Sequence, residues 1–231
     1  MKKNFKDWKL HELILLIFSI VAVTLVFVLS NEKSIISYIA SLIGITSVMM
    51  CAKGLFYAPF LDFIYISLYI IMSINEKYYG EVFVYIFIMI PLTVCTIITW
   101  LKKRNGNSNI VEVNNIKKKE WIILLCFSII IPFLLYFVLK ALNTSQLIIS
   151  TISIFTSIIA SYLLLRRSSY YAIAYILNDL VLILLWSLTI FNGSTQYLPL
   201  VVSLTVYLIN DCYGFYRWRK QEKKQKKELA Q

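Results

Sequence analysis

Eight runs of about twenty mostly apolar residues, separated by short polar or charged segments, occupy nearly all of this 231-residue chain. A helix of about 20 residues is long enough to cross the hydrocarbon core of a bilayer. Only 15% of the residues are charged and 59% are hydrophobic, so little length remains for a soluble domain. The sequence predicts an all-α integral membrane protein with eight transmembrane helices, near residues 13–30, 35–52, 57–74, 80–101, 121–141, 146–165, 169–191 and 196–217.

The basic residues set the predicted orientation of these helices. If the N-terminus lies in the cytoplasm, every Lys and Arg except Lys33, Lys77 and Lys140 falls at a cytoplasmic end. Such an excess of positive charge is typical of the cytoplasmic side of multi-span proteins. The run from Ile14 to Leu29 is followed by no small-residue cleavage motif, so we expect an uncleaved first helix. The prediction is a multi-pass protein of the cytoplasmic membrane with both termini in the cytoplasm.

Several functional classes are not expected for this chain. The net charge is +11, but the basic residues cluster between apolar runs rather than alternating with aromatic ones, which does not favour nucleic-acid binding. The four cysteines show no CxxC spacing and His11 is the only histidine, so we predict no metal and no cofactor. The chain also lacks the phosphate-binding loop of ATPases and known hydrolase motifs. We therefore expect no enzyme activity, and instead passive or ion-coupled transport.

An internal repeat is visible in the spacing of a few side chains. Three pairs recur at an offset of 117 or 118 residues: Asp62 with Asp179, Tyr69 with Trp186, and Trp100 with Trp218. Helices two to four and six to eight would then be copies that enter the membrane in the same direction, as in transporters built from parallel repeats. The predicted divisions are an N-terminal segment and first helix (1–34), a first repeat (35–104), a loop and linking helix (105–141), a second repeat (142–218) and a basic tail (219–231).

Polar side chains inside the apolar runs are the candidate site. A carboxylate at a helix centre costs about 2.5–3.5 kcal/mol by insertion scales, so each one calls for an explanation. In the seventh helix a polar stripe combines aromatic rings, an amide and a carboxylate, and the eighth helix repeats part of it. The predicted substrate-binding residues are Tyr175, Asn178, Asp179, Trp186, Tyr207, Asn210, Asp211, Asp62 and Tyr69. An alternative is that these groups only join helices, or that the aspartates pair with Arg166, Arg167 or Arg217.

Four short motifs in order along the chain resemble the PnuC family of vitamin-precursor transporters. They are Ala52-Lys53-Gly54, Tyr79-Gly80-Glu81, the seventh helix centred on Asn178, and Tyr213-Gly214-Phe215-Tyr216-Arg217-Trp218. The resemblance covers roughly residues 35 to 220. It implies a 3+1+3 helix arrangement similar to a duplicated SWEET-type fold, here with an extra N-terminal helix.

The resemblance also implies a function. Members of this family are facilitators that equilibrate an unphosphorylated vitamin, best known as nicotinamide riboside, which a cytosolic kinase then traps without forming a stable complex. The family's substrate motif WxxNxxxWxxY is matched here at Asn178, but Tyr175 replaces the first Trp, and Leu182 and Leu185 stand where the second Trp and the Tyr would be. Deoxynucleosides, thiamine and riboflavin are therefore alternative substrates. A non-transporting membrane scaffold and a homo-oligomer are further possibilities.

Overall fold

The computed structural model describes residues 8–104 and 109–228, which fold into a bundle of membrane-length helices. Within these ranges eight helices are long and apolar enough to span a bilayer, as predicted. They are α1 (Leu10–Leu29), α2 (Ile35–Ala52), α3 (Ala58–Asn75), α4 (Tyr79–Lys102), α5 (Lys118–Ala141), α6 (Leu147–Leu165), α7 (Tyr171–Phe191) and α8 (Leu198–Glu228). The predicted N-terminal segment, loop and basic tail include residues 1–7, 105–108 and 229–231, respectively, which lie outside the described residues.

The connecting segments gather at two opposite ends of the bundle. At one end, which we call the basic face, the backbone N–H of Val111 donates to Gly54 (2.9 Å) and that of Asn114 to Arg167 (3.0 Å). At the other end, the far face, the N–H of Ser145 donates to Lys77 (3.3 Å). Consecutive helices therefore run in alternate directions.

Six of the helices surround a common interior. Among the described residues, α2 packs against α3 and α8, α4 packs against α3 and α6, and α7 packs against both α6 and α8. Helix α1 lies outside this group against α2 and α8, and α5 lies mainly against α6. Apolar side chains on the outer sides of α1 and α5 are exposed, among them Phe18, Leu25, Ile130 and Phe137. Exposed apolar surface of this extent fits contact with lipid.

Two buried tryptophans make matching contacts near the basic face. The indole N–H of Trp100 in α4 donates to the carbonyl of Leu164 at the end of α6 (3.2 Å). The indole N–H of Trp218 in α8 donates to the carbonyl of Cys51 at the end of α2 (3.0 Å). The two rings lie 5.8 Å apart between centroids. This exchange of partners is what a two-fold relation between α2–α4 and α6–α8 predicts, and the 3+1+3 repeat itself stays a prediction.

Helix α4 is interrupted by one turn of π-helix, Tyr85–Met89, before it resumes at Ile90–Lys102. Pro91 follows directly, and a proline within a helix removes one backbone hydrogen bond and crowds the carbonyl four residues earlier. A local π turn accommodates this disturbance. It also changes which side chains of α4 face the interior, and both Tyr85 and Met89 are buried there.

Two ion pairs join α1 to α2 and α5 to α6. Glu12, in the first turn of α1, accepts hydrogen bonds from Lys53, Arg217 and Tyr213. The Lys53 ammonium also lies 4.4 Å from the centre of the Trp8 ring. The side chains of Glu12 and Lys53 are 0% and 1% exposed, whereas those of Glu120 and Arg166, which pair at the corresponding end of α5 and α6, are 20% and 41% exposed.

The C-terminal part of α8 runs on past Trp218 without a break to Glu228. Gln221 donates to the carbonyl of Val111 (2.7 Å), and the Gln225 side chain accepts from the N–H of Val113 (3.1 Å). The described part of the predicted loop before α5 is thus held against α8. The helix is continuous across the predicted boundary between residues 218 and 219.

We expect Glu12→Gln to destabilise the protein far more than Glu120→Gln. Removing one partner of a buried ion pair leaves an uncompensated charge and costs about 3–5 kcal/mol. The partly exposed Glu120 pair is screened, so its loss costs about 1 kcal/mol or less. Thermal unfolding in detergent, followed by intrinsic fluorescence, measures both variants. Equal melting temperatures for the two would contradict this ranking.

Candidate functional site

A small cavity of about 70 Å³ lies between the six inner helices. Its lining side chains come from α2, α3, α4, α6, α7 and α8, and the described lining includes none from α1 or α5. The α7 residues that contribute run from Tyr171 to Leu182, so the cavity occupies the half of the bundle nearer the basic face.

Three carboxyl groups line this cavity. Asp62 comes from α3, Asp179 from α7 and Asp211 from α8. Asp179 and Asp211 are each 3% exposed. Among the described lining residues there is no Lys, Arg or His. No basic side chain in the described lining compensates these three carboxyl groups, so this part of the cavity surface is acidic.

Two of the three arginines that might have paired with these aspartates form ion pairs with glutamates. Arg166 forms its ion pair with Glu120, and Arg217 with Glu12. No salt bridge within the described ranges involves Asp62, Asp179 or Asp211. The alternative in which the aspartates pair with Arg166, Arg167 or Arg217 is therefore wrong for the described residues. Arg166 and Arg217 pair instead with the glutamates near the starts of α5 and α1.

Asn178 is held in one orientation by α6. Its Oδ1 atom accepts hydrogen bonds from the hydroxyl groups of Thr156 and Ser157, both at 2.8 Å. An amide oxygen has two lone pairs, so both acceptor positions are occupied. The group left for a ligand is the amide NH₂, which donates two hydrogen bonds. Asn178 therefore presents a donor to the cavity.

Tyrosine rings supply most of the aromatic wall. The five that line the cavity are Tyr65, Tyr85, Tyr171, Tyr175 and Tyr207. Their ring faces provide stacking surfaces and their hydroxyls provide hydrogen-bond donors. The Tyr207 hydroxyl passes so close to Gly44 of α2 that an added Cβ would lie 1.8 Å from it. The absence of a side chain at Gly44 thus lets the Tyr207 hydroxyl lie directly against the backbone of α2.

Three of the predicted site residues lie outside the cavity wall. Trp186 is one turn nearer the far face, where its indole N–H donates to the hydroxyl of Tyr69 (2.8 Å). Tyr69 stacks on Tyr85 at 4.6 Å between ring centres, so it lies behind a lining residue. Asn210 is 1% exposed, and neither its side-chain nitrogen nor its oxygen has a hydrogen-bond partner among the described residues.

Aromatic side chains bound the cavity towards each face of the bundle. On the far side, Trp186 contacts the rings of Tyr78 and Tyr197 at 5.5 and 4.9 Å between centres. On the basic side, Tyr171 contacts Trp218 at 4.9 Å.

Comparison with known proteins places the chain in a family. A model of the Nicotinamide mononucleotide transporter family matches residues 34–220. The chain belongs to this family. It is therefore a multi-pass membrane transporter that takes a small-molecule substrate, and the predicted PnuC resemblance is confirmed.

Similar proteins include two bacterial relatives and one crystal structure. A nicotinamide riboside transporter PnuC from Neisseria mucosa is 24% identical, over 96% of this chain and 86% of the relative. A protein of the same name from Haemophilus influenzae is 22% identical, over 97% and 96%. The crystal structure of the vitamin B3 transporter PnuC superposes with a TM-score of 0.82 at 24% identity and covers 94% of each chain. This likeness establishes the fold.

Sequence reasoning missed several lining residues. It did not identify Tyr65, Tyr85, Tyr171 or the serines of α6. Pro91 was a usable signal for Tyr85, because a proline inside a membrane helix indicates local irregularity one turn earlier. The α6 serines carry no such signal, since serine is common wherever membrane helices pack closely.

Proposed function

We propose that the chain carries nicotinamide riboside, or a closely similar unphosphorylated nucleoside or vitamin, across the cytoplasmic membrane. The observation that carries this proposal is a cavity lined by tyrosines, an oriented amide donor and three carboxyl groups with no basic residue in its described lining. Both bacterial relatives are named for nicotinamide riboside.

The acidic lining favours a positively charged solute. The nicotinamide ring of the riboside carries a fixed positive charge, and Asp62, Asp179 and Asp211 compensate it in a region of low dielectric constant. Aromatic rings add a cation–π contribution of about 0.5–2 kcal/mol. A solute without positive charge would leave the carboxyl groups uncompensated.

The same lining disfavours phosphorylated solutes. Proteins bind phosphate through Arg, Lys and backbone N–H groups, often in bidentate pairs. The described lining offers three carboxyl groups and no basic side chain, so a phosphate would meet repulsion. The riboside therefore fits better than the mononucleotide.

We assign the remaining polar groups by their position. The Asn178 amide donates to a carbonyl of the solute, and Tyr175 provides a stacking surface for its base. Tyr207 and Asp211 contact the sugar from α8. The other three predicted residues contact the solute only when the aromatic layer towards the far face rearranges. They are Trp186, Tyr69 and Asn210, which lie just behind the cavity wall.

We propose facilitated diffusion by alternating access between the repeats 35–104 and 142–218, with the linking segment 105–141 and the end segments 1–34 and 219–231 outside the pathway. In this proposal the basic face and both termini lie in the cytoplasm. A cytosolic kinase would make uptake unidirectional by adding charge to the solute. The exposed apolar surface of α5 is compatible with a homo-oligomer.

Other substrates differ in how well they fit this lining. Thiamine also carries a fixed positive charge and is the closest competitor on chemical grounds, whereas deoxynucleosides and riboflavin are neutral. A scaffold without transport is not favoured, because the aspartates face a cavity and have no salt-bridge partner within the described residues.

Thermal stabilisation of the purified protein tests the substrate class. A ligand that binds the folded state stabilises it by about 2.7 kcal/mol at a hundred times its Kd. We expect nicotinamide riboside to raise the melting temperature, and nicotinamide mononucleotide, riboflavin and deoxynucleosides to raise it little. A shift with thiamine alone would reassign the substrate. No shift with any compound would contradict the transport proposal.

Asn178→Leu should weaken binding of the stabilising solute about tenfold or more. The substitution removes the amide donor and leaves a polar atom of the solute unpaired, which costs about 1–3 kcal/mol. Isothermal titration calorimetry measures the affinity. Asn192→Leu is the matched control, because Asn192 is an exposed asparagine at the end of α7. An equal loss of affinity in both variants would show that the Asn178 amide does not contact the solute.

Cysteine labelling tests the proposed orientation. In a variant with all four native cysteines replaced by serine, we expect Lys33→Cys to react with a membrane-impermeant maleimide on intact cells. Lys102→Cys should react only after the membrane is permeabilised. Both positions are exposed and lie at opposite ends of the bundle. The reverse pattern would invert the topology.

A further inference from the structure

A second concave site lies at the basic face, which we call the basic groove. It has a volume of about 580 Å³ and runs between the start of α1 and the C-terminal part of α8. Its described lining shares no residue with the cavity between the six inner helices. Small-molecule sites have volumes of about 300–1,000 Å³. The groove is therefore large enough for a ligand of its own, separate from the transported solute.

The positive charge of the groove comes from two elements of the fold. Arg217, Lys220 and Lys224 line it from α8, at spacings of three and four residues that place them on one face of the helix. Lys9, which directly precedes α1, lines the other wall. The acidic residue in the described lining is Glu228 near the end of α8, which pairs with Lys224 at 3.6 Å. The lining therefore has an excess of positive charge.

A second groove beside the same part of α8 has the opposite charge. Its described lining contains Glu112, Glu222 and Glu228, with Lys226 as its basic residue. Lys226 is paired with Glu222 at 2.7 Å. The two grooves thus differ in the sign of their charge although they flank one helix, and the groove beside α1 is the one that suits an anion.

Hydrogen bonds fix the walls of the basic groove. Arg217 donates to the Tyr213 hydroxyl (3.2 Å), and both side chains donate to Glu12 in the first turn of α1. Gln221 donates to the carbonyl of Val111 (2.7 Å), which holds the loop before α5 against α8. The groove is therefore formed by the fold before any ligand binds.

The lysines of the groove are available to an anion. No salt bridge among the described residues includes Lys9 or Lys220, and both residues are exposed. Each ammonium group offers three hydrogen-bond donors and no acceptor. Positive charges around one groove repel each other, and a phosphate bound between them removes this repulsion and accepts several charge-assisted hydrogen bonds.

Exposed apolar side chains lead from the groove towards the membrane. On α8, Ile209 lies two helical turns before the groove residue Tyr216 on the same face, and these side chains are 50% and 66% exposed. On α1, Ile14 and Phe18 share a face with the groove residue His11 and are 58% and 64% exposed. An acyl chain can lie along this surface while its headgroup occupies the groove, whereas a soluble phosphate makes no use of it.

We propose that the basic groove binds the phosphate of an anionic phospholipid, with the acyl chains against the exposed apolar faces of α1 and α8. Lys9 and Lys220 bind the phosphate from opposite walls, and Lys224 adds charge at the outer end. Basic pockets between membrane helices on the cytoplasmic side bind such headgroups, and this is the side on which we place the basic face. The lipid site does not depend on which solute is transported.

Thermal stabilisation of the purified full-length protein in a neutral detergent tests the ligand class. The probes are dioctanoyl phosphatidylglycerol, dioctanoyl phosphatidylcholine and glycerol 3-phosphate at equal concentrations. We expect phosphatidylglycerol to raise the melting temperature in a saturable manner. The other two should raise it little, because choline offsets the phosphate charge and glycerol 3-phosphate has no acyl chain. An equal shift with glycerol 3-phosphate would overturn the lipid assignment in favour of a soluble phosphate. An equal shift with phosphatidylcholine, or no shift with phosphatidylglycerol, would overturn the proposal.

Lysine substitutions locate the site. The double variant Lys220→Gln with Lys224→Gln should bind phosphatidylglycerol about thirtyfold more weakly, and Lys9→Gln about fivefold, because each lysine near an anionic headgroup contributes about fivefold in affinity. The matched control is Lys118→Gln with Lys119→Gln, which removes the same charge from exposed positions at the start of α5, outside the groove lining. Equal losses in the two double variants would show a general attraction to surface charge and contradict the groove. The three-probe comparison on the wild-type protein decides the ligand class even where a variant does not fold.

Discussion

Charge inside the bilayer is the constraint on which this structure depends. An ionised side chain in a region of low dielectric constant has to be paired or hydrogen-bonded. Glu12 meets this requirement through Lys53, Arg217 and Tyr213, and through these contacts it joins α1, α2 and α8 at the basic face. With Arg166 and Arg217 paired to glutamates, the cavity aspartates have no salt-bridge partner among the described residues. This lack of basic partners marks the site.

The second organising feature is the exchange of contacts between the two halves of the inner bundle. Trp100 and Trp218 each bind the carbonyl end of a helix in the other half, and their rings are neighbours. Such contacts fix the relative position of the halves near one face and leave the cavity between them. A site at this junction is open to rearrangement whenever the halves move relative to each other, as parallel-repeat transporters require.

The fold was largely predictable from sequence, and the site only in part. Helix positions followed from apolar length, and Asp62, Asp179 and Asp211 were found because a carboxylate within an apolar run is costly. The position of Trp186 relative to the cavity was not predictable, because helical periodicity gives the face of a residue but not which of its neighbours fills the space beside it. Tyr85 was missed because a π turn changes the face of α4. The alternative of arginine partners stayed open in the sequence because nothing in it shows that Glu12 and Glu120 pair with Arg217 and Arg166.

The ion pairs of Glu12 and Glu120 have a mechanical consequence. Each glutamate is the third residue of its helix, each helix is preceded by a lysine, and each partner, Lys53 or Arg166, directly follows the next helix. Helices α1 and α5 are therefore joined to the following helix by ion pairs in matching positions. The two joints are unequal, however, because only the first is sealed from solvent. Since a buried ion pair is the harder one to separate, the α5–α6 joint is the more compliant of the two, and the bundle is stiffer where α1 is attached than where α5 is attached.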